Sequence, residues 1–299
     1  MTNMKAIRGG DLFKMVVAIA VIFLLNSSCA EQVKRDIKTP PPWGICTSIE
    51  NAEKMQTAGY SYVEESVGRF LIPAESIEAF EKKLTNAKNA PLKIYSYNGF
   101  IPGNLKSTGP QTHHDEILKY AETAFQRAER VGSKIIVFGS CGSRQLPDGF
   151  PYDKGVEQFT ELLKRMGPIA AQYGITVVIE PLNSNECNFI NSVKEATDIA
   201  KTVNDPNIAV LADIYHMAMD GEGPESILYA GKLLKHCHIA EREGRTMPGT
   251  HKYDFTPYFK ALKDIGYQGR VSLEGRWDNF DEQLGPVIAY LNEQWANTQ

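Results

Sequence analysis

Residues 114–140, HDEILKYAETAFQRAERVGSKIIVFGS, change from a helical to an extended pattern within one stretch. In the first part Ile117, Ala121 and Phe125 recur at every fourth position, which predicts an amphipathic helix. Gly132 ends that pattern, as glycine commonly does after the last turn of a helix. The apolar run KIIVFGS that follows is typical of a buried strand. The stretch therefore predicts one unit in which a helix is followed by a strand.

The same alternation repeats from Trp43 to the end of the chain. Short runs rich in valine, isoleucine and tyrosine predict eight strands, and the stretches between them predict amphipathic helices. The strand-like runs are WGICT, YSYVEES, LKIYSYNG, KIIVFGS, ITVVIEP, IAVLADI, LKHCHIAE and RVSLEG. Residues 43–299 thus hold eight units of about 32 residues each, which fits a single-domain parallel (β/α)8 barrel, the TIM barrel.

An open, doubly wound sheet is the alternative fold for an alternating pattern. Such a sheet usually has fewer strands and a glycine-rich turn that binds a nucleotide. No G-x-G-x-x-G motif opens a helix in this sequence, and no Walker motif is present. The run GSCGSR at 139–144 lacks the Lys-Ser/Thr pair of a phosphate loop, so we interpret it as a tight turn between a strand and a helix.

The first 28 residues have the pattern of an export signal. Three basic residues, Lys5, Arg8 and Lys14, precede the apolar run MVVAIAVIFLL at 15–25, and the small residues NSSC follow it. This run of 11 apolar residues is too short to cross a bilayer as a helix, which needs about 20. Residues 1–28 therefore predict a signal peptide.

Cys29 directly follows two serines and resembles the lipidated cysteine of a lipoprotein signal. Plain cleavage of the signal is one alternative, and an uncleaved membrane anchor is another. Residues 29–42 are polar and end in three prolines, which predicts a linker between a lipid anchor and the folded body. We expect an exported protein, periplasmic or anchored in the outer membrane, that touches the membrane only through this anchor.

Charge and cysteine usage restrict the class of protein further. The formal net charge of −4 argues against an intrinsic nucleic-acid binder, which usually has a basic patch and a high pI. After Cys29 the remaining cysteines form no C-x-x-C pair; they are Cys46, Cys141, Cys187 and Cys237. A disulfide is possible in an oxidising compartment, but nothing in this spacing demands one, and we expect buried free thiols.

Four possible metal ligands occur where consecutive predicted strands end. They are Glu180 in VVIEPLN, Asp213 in VLADIYH, His238 in KHCHIAE and Glu274 in VSLEGRW. Barrel enzymes carry their chemistry at the carboxyl ends of the strands, so we expect these side chains at one level of the barrel. Three carboxylates and one imidazole suit Mn²⁺, Mg²⁺ or Co²⁺, and Zn²⁺ is possible. Three buried acids would repel one another without a cation.

Within KHCHIAE the alternation of side chains along a strand separates the two histidines from the cysteine. His238 is expected at the rim as the metal ligand, and His236 one layer lower, held by a hydrogen bond. Cys237 is expected to face the helices and to serve packing.

Four segments of the chain resemble the xylose-isomerase-like superfamily of sugar isomerases and epimerases, which also contains the endonuclease IV type of DNA-repair enzyme. The segments are IEPLNSNE (179–186), DIYH (213–216), HIAEREGR with PG (238–249) and GYQGRVSLEG (266–275). The resemblance covers essentially all of residues 43–296 and implies a TIM barrel.

The resemblance also implies roles for individual residues. Glu180, Asp213, His238 and Glu274 match the positions that bind the metal, and the two glutamates match an acid/base pair on opposite faces of the substrate. Three further positions match residues that hold substrate oxygens near the reacting carbonyl; they are Glu186, His216 and Arg245.

Other polar residues fall on predicted loops at the same end of the barrel. We expect Asn98 in YNGF, or the pair His113-His114, to line the pocket. His251 in PGTHKYDF either reaches the site as an extra ligand or acid, or lies on the surface.

The expected function is that of a divalent-metal-dependent sugar isomerase or epimerase. Such an enzyme abstracts a proton beside the carbonyl of a keto-sugar and passes through an enediolate. A lyase or hydratase acting on 3-keto-glycosides or keto-sugars could use the same site. A repair endonuclease would need three metals and more than the six histidines of this chain. A non-catalytic sugar-binding barrel would not be expected to keep all four ligands.

Overall fold

The computed structural model describes residues 36–298. The predicted signal peptide, Cys29 and the first part of the predicted linker lie outside the described residues. Within residues 36–298, no helix is both long and apolar enough to pass through a bilayer.

Eight parallel strands close into a barrel in which each strand pairs with its neighbours in chain order. The strands are β1 (Trp43–Cys46), β2 (Tyr62–Ser66), β3 (Ile94–Asn98), β4 (Ile135–Phe138), β5 (Thr176–Ile179), β6 (Ile208–Asp213), β7 (Leu234–Ile239) and β8 (Arg270–Leu273). Each strand lies within one of the eight runs that the sequence identifies, and the prediction of a TIM barrel is confirmed.

Helices follow the strands and cover the outside of the barrel. They are α1 (Ala52–Ala58), α2 (Ile77–Asn89), α3 (His114–Val131), α4 (Cys141–Arg144), α5 (Tyr152–Gln172), α6 (Val193–Val203), α7 (Ile214–Asp220), α8 (Glu225–Ala230), α9 (Thr256–Asp264) and α10 (Phe280–Asn297). The helix predicted in 114–140 is α3, and Gly132 ends it with a left-handed φ of 88°. Residues that carry a side chain rarely adopt that backbone conformation, so glycine is favoured there.

The apolar strands bury both of their faces, which explains why their sequences run as continuous apolar stretches. In β4, Ile136 and Phe138 belong to the large core between the strands and the helices. Ile135 and Val137 point the other way, into a small apolar layer inside the barrel with Leu211 of β6 and its neighbours. The interior of the barrel is therefore packed with side chains below its rim.

Strand β7 places its residues as the alternation predicts. Cys237 is fully buried in the core between the strands and the helices. His236 and His238 are also fully buried, and their ring centroids lie 5.3 Å apart. His236 donates its Nε2 proton to Glu64 at 2.7 Å, so the expected hydrogen bond is present.

A disulfide joins Cys141 and Cys187, whose Cα atoms lie 5.6 Å apart. The prediction of buried free thiols was therefore wrong for this pair and is confirmed for Cys237, whereas Cys46 is free but only half-buried. Cys141 opens α4 directly after β4, and Cys187 lies on the loop after β5. The two loops meet because β4 and β5 are neighbouring strands. The two cysteines are 46 residues apart in the sequence, so no local pattern indicates that they lie close together.

Candidate metal centre

Glu180, Asp213, His238 and Glu274 come together at the carboxyl ends of β5 to β8. Each offers a ligand atom, and these atoms all lie within 4.8 Å of one another. His238 Nδ1 lies 2.9 Å from a Glu180 oxygen and 3.0 Å from a Glu274 oxygen. Asp213 is the last residue of β6, whereas Glu180 and Glu274 immediately follow β5 and β8. The four strand ends therefore build one cluster, and we call it the acidic centre.

The carboxylates of the acidic centre are held in different electrostatic states. Burial raises the pKa of Glu180 above its ordinary value, although a hydrogen bond from His238 opposes the shift. Burial acts in the same direction on Glu274, but the attraction of His238 and Arg245 outweighs it and lowers the pKa of Glu274 to about 2. The side chain of Glu274 is also 25% exposed, so this carboxylate faces the opening of the barrel.

Arg245 brings a positive charge to the rim of the acidic centre. Its Nη2 lies 2.8 Å from a Glu274 oxygen and 3.3 Å from an Asp213 oxygen. Its Nη1 lies 3.9 Å from Glu186, and its guanidinium sits 4.6 Å above the ring of Tyr215. The loop after β7 therefore aims Arg245 across the opening of the barrel.

His216 is the third residue of α7 and lies beside Asp213, with Nε2 3.4 Å from an Asp213 oxygen. Its Nδ1 accepts a hydrogen bond from the backbone N–H of Asn183 at 3.2 Å. A neutral imidazole has one donor and one acceptor nitrogen, so the proton belongs on Nε2. The side-chain amide of Asn183 also donates to Glu186 at 2.9 Å. One asparagine thereby links two of the predicted substrate contacts.

The remaining predicted residues divide into two groups. Asn98, the last residue of β3, donates to Glu274 at 2.8 Å and belongs to the acidic centre. His251 is 40% exposed, and its side-chain Nδ1 lies 3.6 Å from a Glu243 oxygen. It lines a separate cavity of about 430 Å³ together with Met219, Glu241, Arg242, Glu243 and Tyr253.

The paired histidines take part in a loop and not in the acidic centre. His113 Nδ1 accepts a hydrogen bond from the backbone N–H of Lys106 at 3.1 Å. His114 Nε2 lies 2.8 Å from the carbonyl oxygen of Ser107. Both contacts tie the start of α3 to the loop before it, so of the two sequence suggestions Asn98 is the one that reaches the centre.

Glu64 is a residue of this site that the sequence analysis missed. It is fully buried in β2, and its Oε1 lies 2.9 Å from His238 Nε2. The only signal in the sequence is a pair of acids inside a strand-like run, YSYVEES, where one of two adjacent side chains must point inward.

Cys46, at the end of β1, forms a second group of potential ligands with Glu64 and His238. Burial, reinforced by Glu64, raises the pKa of its thiol well above the ordinary value. Glu64 already accepts hydrogen bonds from His236, Ser96 and Ser272 as well as facing His238. With its oxygens so engaged, we do not interpret this group as a second metal centre.

Gly139, just after β4, is a further residue whose role appears only in three dimensions. A Cβ atom at this position would lie 1.9 Å from Glu180 Oε2, which is far inside van der Waals contact. The absence of a side chain at Gly139 therefore makes the space that Glu180 occupies.

A closed parallel barrel with an acidic cluster at the carboxyl ends of its strands defines the class of this protein. Residues 52–294 match the family model described as xylose isomerase-like TIM barrel, and the chain belongs to this family. The resemblance drawn from the sequence is thereby confirmed.

Several of the similar proteins are sugar epimerases or isomerases. The chain is 29% identical over 246 residues to an L-ribulose 3-epimerase of Methylomonas sp., covering 81% of this chain and 83% of that protein. It is 31% identical over 247 residues to an inosose isomerase of Bacillus licheniformis, covering 76% of this chain and 86% of that protein. The solved structure of a 3-keto-D-glucoside 4-epimerase from E. coli matches with a TM-score of 0.72 at 21% identity, over 85% of this chain and 100% of that one.

Proposed function

We propose that this protein is a divalent-metal-dependent epimerase or isomerase that acts on a keto-sugar. The observation that carries the proposal is the acidic centre, in which ligand atoms of Glu180, Asp213, His238 and Glu274 lie within 4.8 Å of one another. The kinship with ribulose, inosose and keto-glucoside enzymes supports a small sugar as the substrate.

The donor set of the acidic centre fits a single divalent cation. Three carboxylates and one imidazole form an oxygen-rich set that suits Mn²⁺, Mg²⁺ or Co²⁺ and also accommodates Zn²⁺. Asp213 and His238 are at most 1% exposed, and Glu180 is 6% exposed. Buried carboxylates so close together repel one another strongly unless positive charge offsets them. A cation in the centre would relieve that repulsion.

Glu180 and Glu274 are suited to move a proton on the substrate. A divalent cation in the acidic centre would supply Lewis acidity, which acidifies the carbon beside a bound carbonyl. One glutamate removes that proton to form the enediolate of the sugar, and the other returns it. Return to the opposite face inverts a stereocentre. Return to the neighbouring carbon, together with transfer of the hydroxyl proton from one enediolate oxygen to the other, moves the carbonyl.

Arg245, His216 and Glu186 are suited to hold the oxygens of the sugar. Arg245 and the Nε2 proton of His216 are donors beside Asp213, where negative charge on a substrate oxygen would be stabilised. Glu186 is 41% exposed and accepts the amide proton of Asn183, so it remains open to a substrate hydroxyl. His251 lies in its own cavity and is not assigned to this step.

We further propose that the protein works outside the cytoplasm as a lipoprotein anchored through Cys29. The basic, apolar and small-residue pattern of residues 1–28 supports this assignment, as does the Cys141–Cys187 disulfide. An exported enzyme meets neutral sugars and glycosides more readily than sugar phosphates. This favours free ketoses or 3-keto-glycosides as substrates.

The test is incubation with a panel of ketoses and 3-keto-glycosides in deuterated water, with Mn²⁺, Mg²⁺ or Co²⁺ added. NMR should show deuterium entering the carbon beside the carbonyl, together with an epimer or isomer. Release of the aglycone would instead establish the lyase alternative. Glu180→Gln and Glu274→Gln should both abolish exchange, whereas the exposed Glu243→Gln on the same rim should not. Full turnover by both variants with metal bound would exclude the proposed acid/base pair.

A further inference from the structure

Glu64 is a buried carboxylate whose role lies outside the acid/base chemistry. It is 0% exposed, and no lysine or arginine among residues 36–298 forms an ion pair with it. A buried charge is costly unless several donors surround it. The donors here come from three other strands, β3, β7 and β8; they are Ser96, His236, His238 and Ser272.

The two oxygens of Glu64 have different surroundings. Oε2 accepts from His236 at 2.7 Å, Ser96 at 2.7 Å and Ser272 at 2.6 Å. Ser272 also shares a hydrogen bond with the hydroxyl of Tyr62 at 2.8 Å, which holds the serine in place. Oε1 faces His238 Nε2 at 2.9 Å. Three donors thus fix the carboxylate, and its other oxygen is aimed at the candidate metal ligand.

His238 has carboxylates at both ring nitrogens. Its Nδ1 faces Glu180 and Glu274, which are the other candidate ligands, and its Nε2 faces Glu64. A neutral imidazole that binds a cation through Nδ1 must carry its proton on Nε2. An ionised carboxylate can only accept a hydrogen bond, so Glu64 selects that tautomer.

We propose that Glu64 is the positioning residue of the centre, which holds His238 with its proton on Nε2 and its Nδ1 lone pair turned toward the cation. The inference rests on the proposed function, because it requires the acidic centre to bind a metal. The geometry supports it, because three donors fix Oε2 of Glu64 and leave Oε1 facing His238 Nε2, the ring nitrogen that points away from the other candidate ligands. Removing a residue that hydrogen-bonds a metal ligand typically lowers metal affinity or activity by about 10–100-fold.

The test compares Glu64→Gln with Glu65→Gln, in Mn²⁺ titrations followed by calorimetry. The neighbouring Glu65 is also buried but binds Arg69 at 2.8 Å, so it is a matched control on the same strand. A glutamine at position 64 can donate to Nε2 and favour the wrong tautomer. We expect Glu64→Gln to weaken Mn²⁺ binding about 10–100-fold, and Glu65→Gln to leave it unchanged.

Two outcomes would overturn the inference in different ways. If wild-type protein binds Mn²⁺ and Glu64→Gln binds it within about threefold, Glu64 does not position the ligand, although the proposed function stands. If wild-type protein binds no divalent cation, both the proposed function and this inference fail.

A measurement on the wild type makes the inference independent of how well the variant folds. Long-range ¹H–¹⁵N NMR spectra of the Mg²⁺-loaded protein report which ring nitrogen of His238 carries the proton. We expect a protonated Nε2 and an unprotonated Nδ1. A proton on Nδ1 would overturn the inference whatever the variant shows.

Discussion

Loss of the Cys141–Cys187 disulfide should destabilise the barrel by an amount that follows from the loop it closes. The two residues are separated by 46 positions. The chain-entropy relation for a closed loop of this length gives about 4 kcal/mol of stabilisation at 25 °C. An unfolding entropy of about 0.55 kcal/mol/K for a domain of about 260 residues then predicts a fall in Tm of about 7 °C.

The perturbation is the double variant Cys141→Ala/Cys187→Ala, or the addition of dithiothreitol to the wild type. Differential scanning calorimetry measures the change in Tm, and a thiol titration after unfolding confirms that the bond is gone. Cys187 directly follows Glu186 in the loop after β5. A looser loop should therefore raise KM for the sugar more than it lowers kcat.

The double variant is also its own control. Dithiothreitol should lower the Tm of the wild type and leave that of the variant unchanged, because the variant has no Cys141–Cys187 bond to reduce. The reasoning would be refuted if the variant and the untreated wild type melted within about 2 °C of each other. It would also be refuted if the reductant shifted both proteins equally, since the effect would then arise elsewhere.

Three further predictions concern the acidic centre. Gly139→Ala would place a Cβ 1.9 Å from Glu180 Oε2 and so displace the carboxylate. We expect kcat to fall about 100-fold while the far-UV circular dichroism spectrum stays that of the wild type. An unchanged kcat would contradict this role of Gly139. Arg245→Lys keeps the charge but loses the fork that reaches Asp213 and Glu274, so steady-state kinetics should show KM raised about tenfold. Removing the cation with EDTA should abolish turnover and lower Tm, and added Mn²⁺ should restore both, unlike added Na⁺.

The candidate metal ligands could be found from the sequence because strand ends are local signals. Once the strands are placed, Glu180, Asp213, His238 and Glu274 must lie near the same rim of a parallel barrel. Their convergence to within 4.8 Å is the result of that geometry. The sequence placed Asn98 on the loop after β3, and the structure makes it the last residue of that strand, where it donates to Glu274.

Residues that act through space without such a signal were missed. Glu64 lies inside a strand and contacts His238 174 positions away. Gly139 matters because it has no Cβ atom, and the need for that space is seen only when Glu180 is in place beside it. His113 and His114 were the alternative to Asn98 as pocket residues, and the loop before α3 uses both of them in its own hydrogen bonds.

Hydrophobic periodicity along the chain was enough to define the eight strands, the order of helices between them and the barrel they form. The spacing of apolar residues reports which faces are buried, and this information is local. The pairing of Cys141 with Cys187 and the enclosure of Glu64 by partners from three other strands depend instead on which residues become neighbours when the barrel closes. Those contacts join positions far apart in the chain, so no local pattern encodes them, and they appear only with the folded protein.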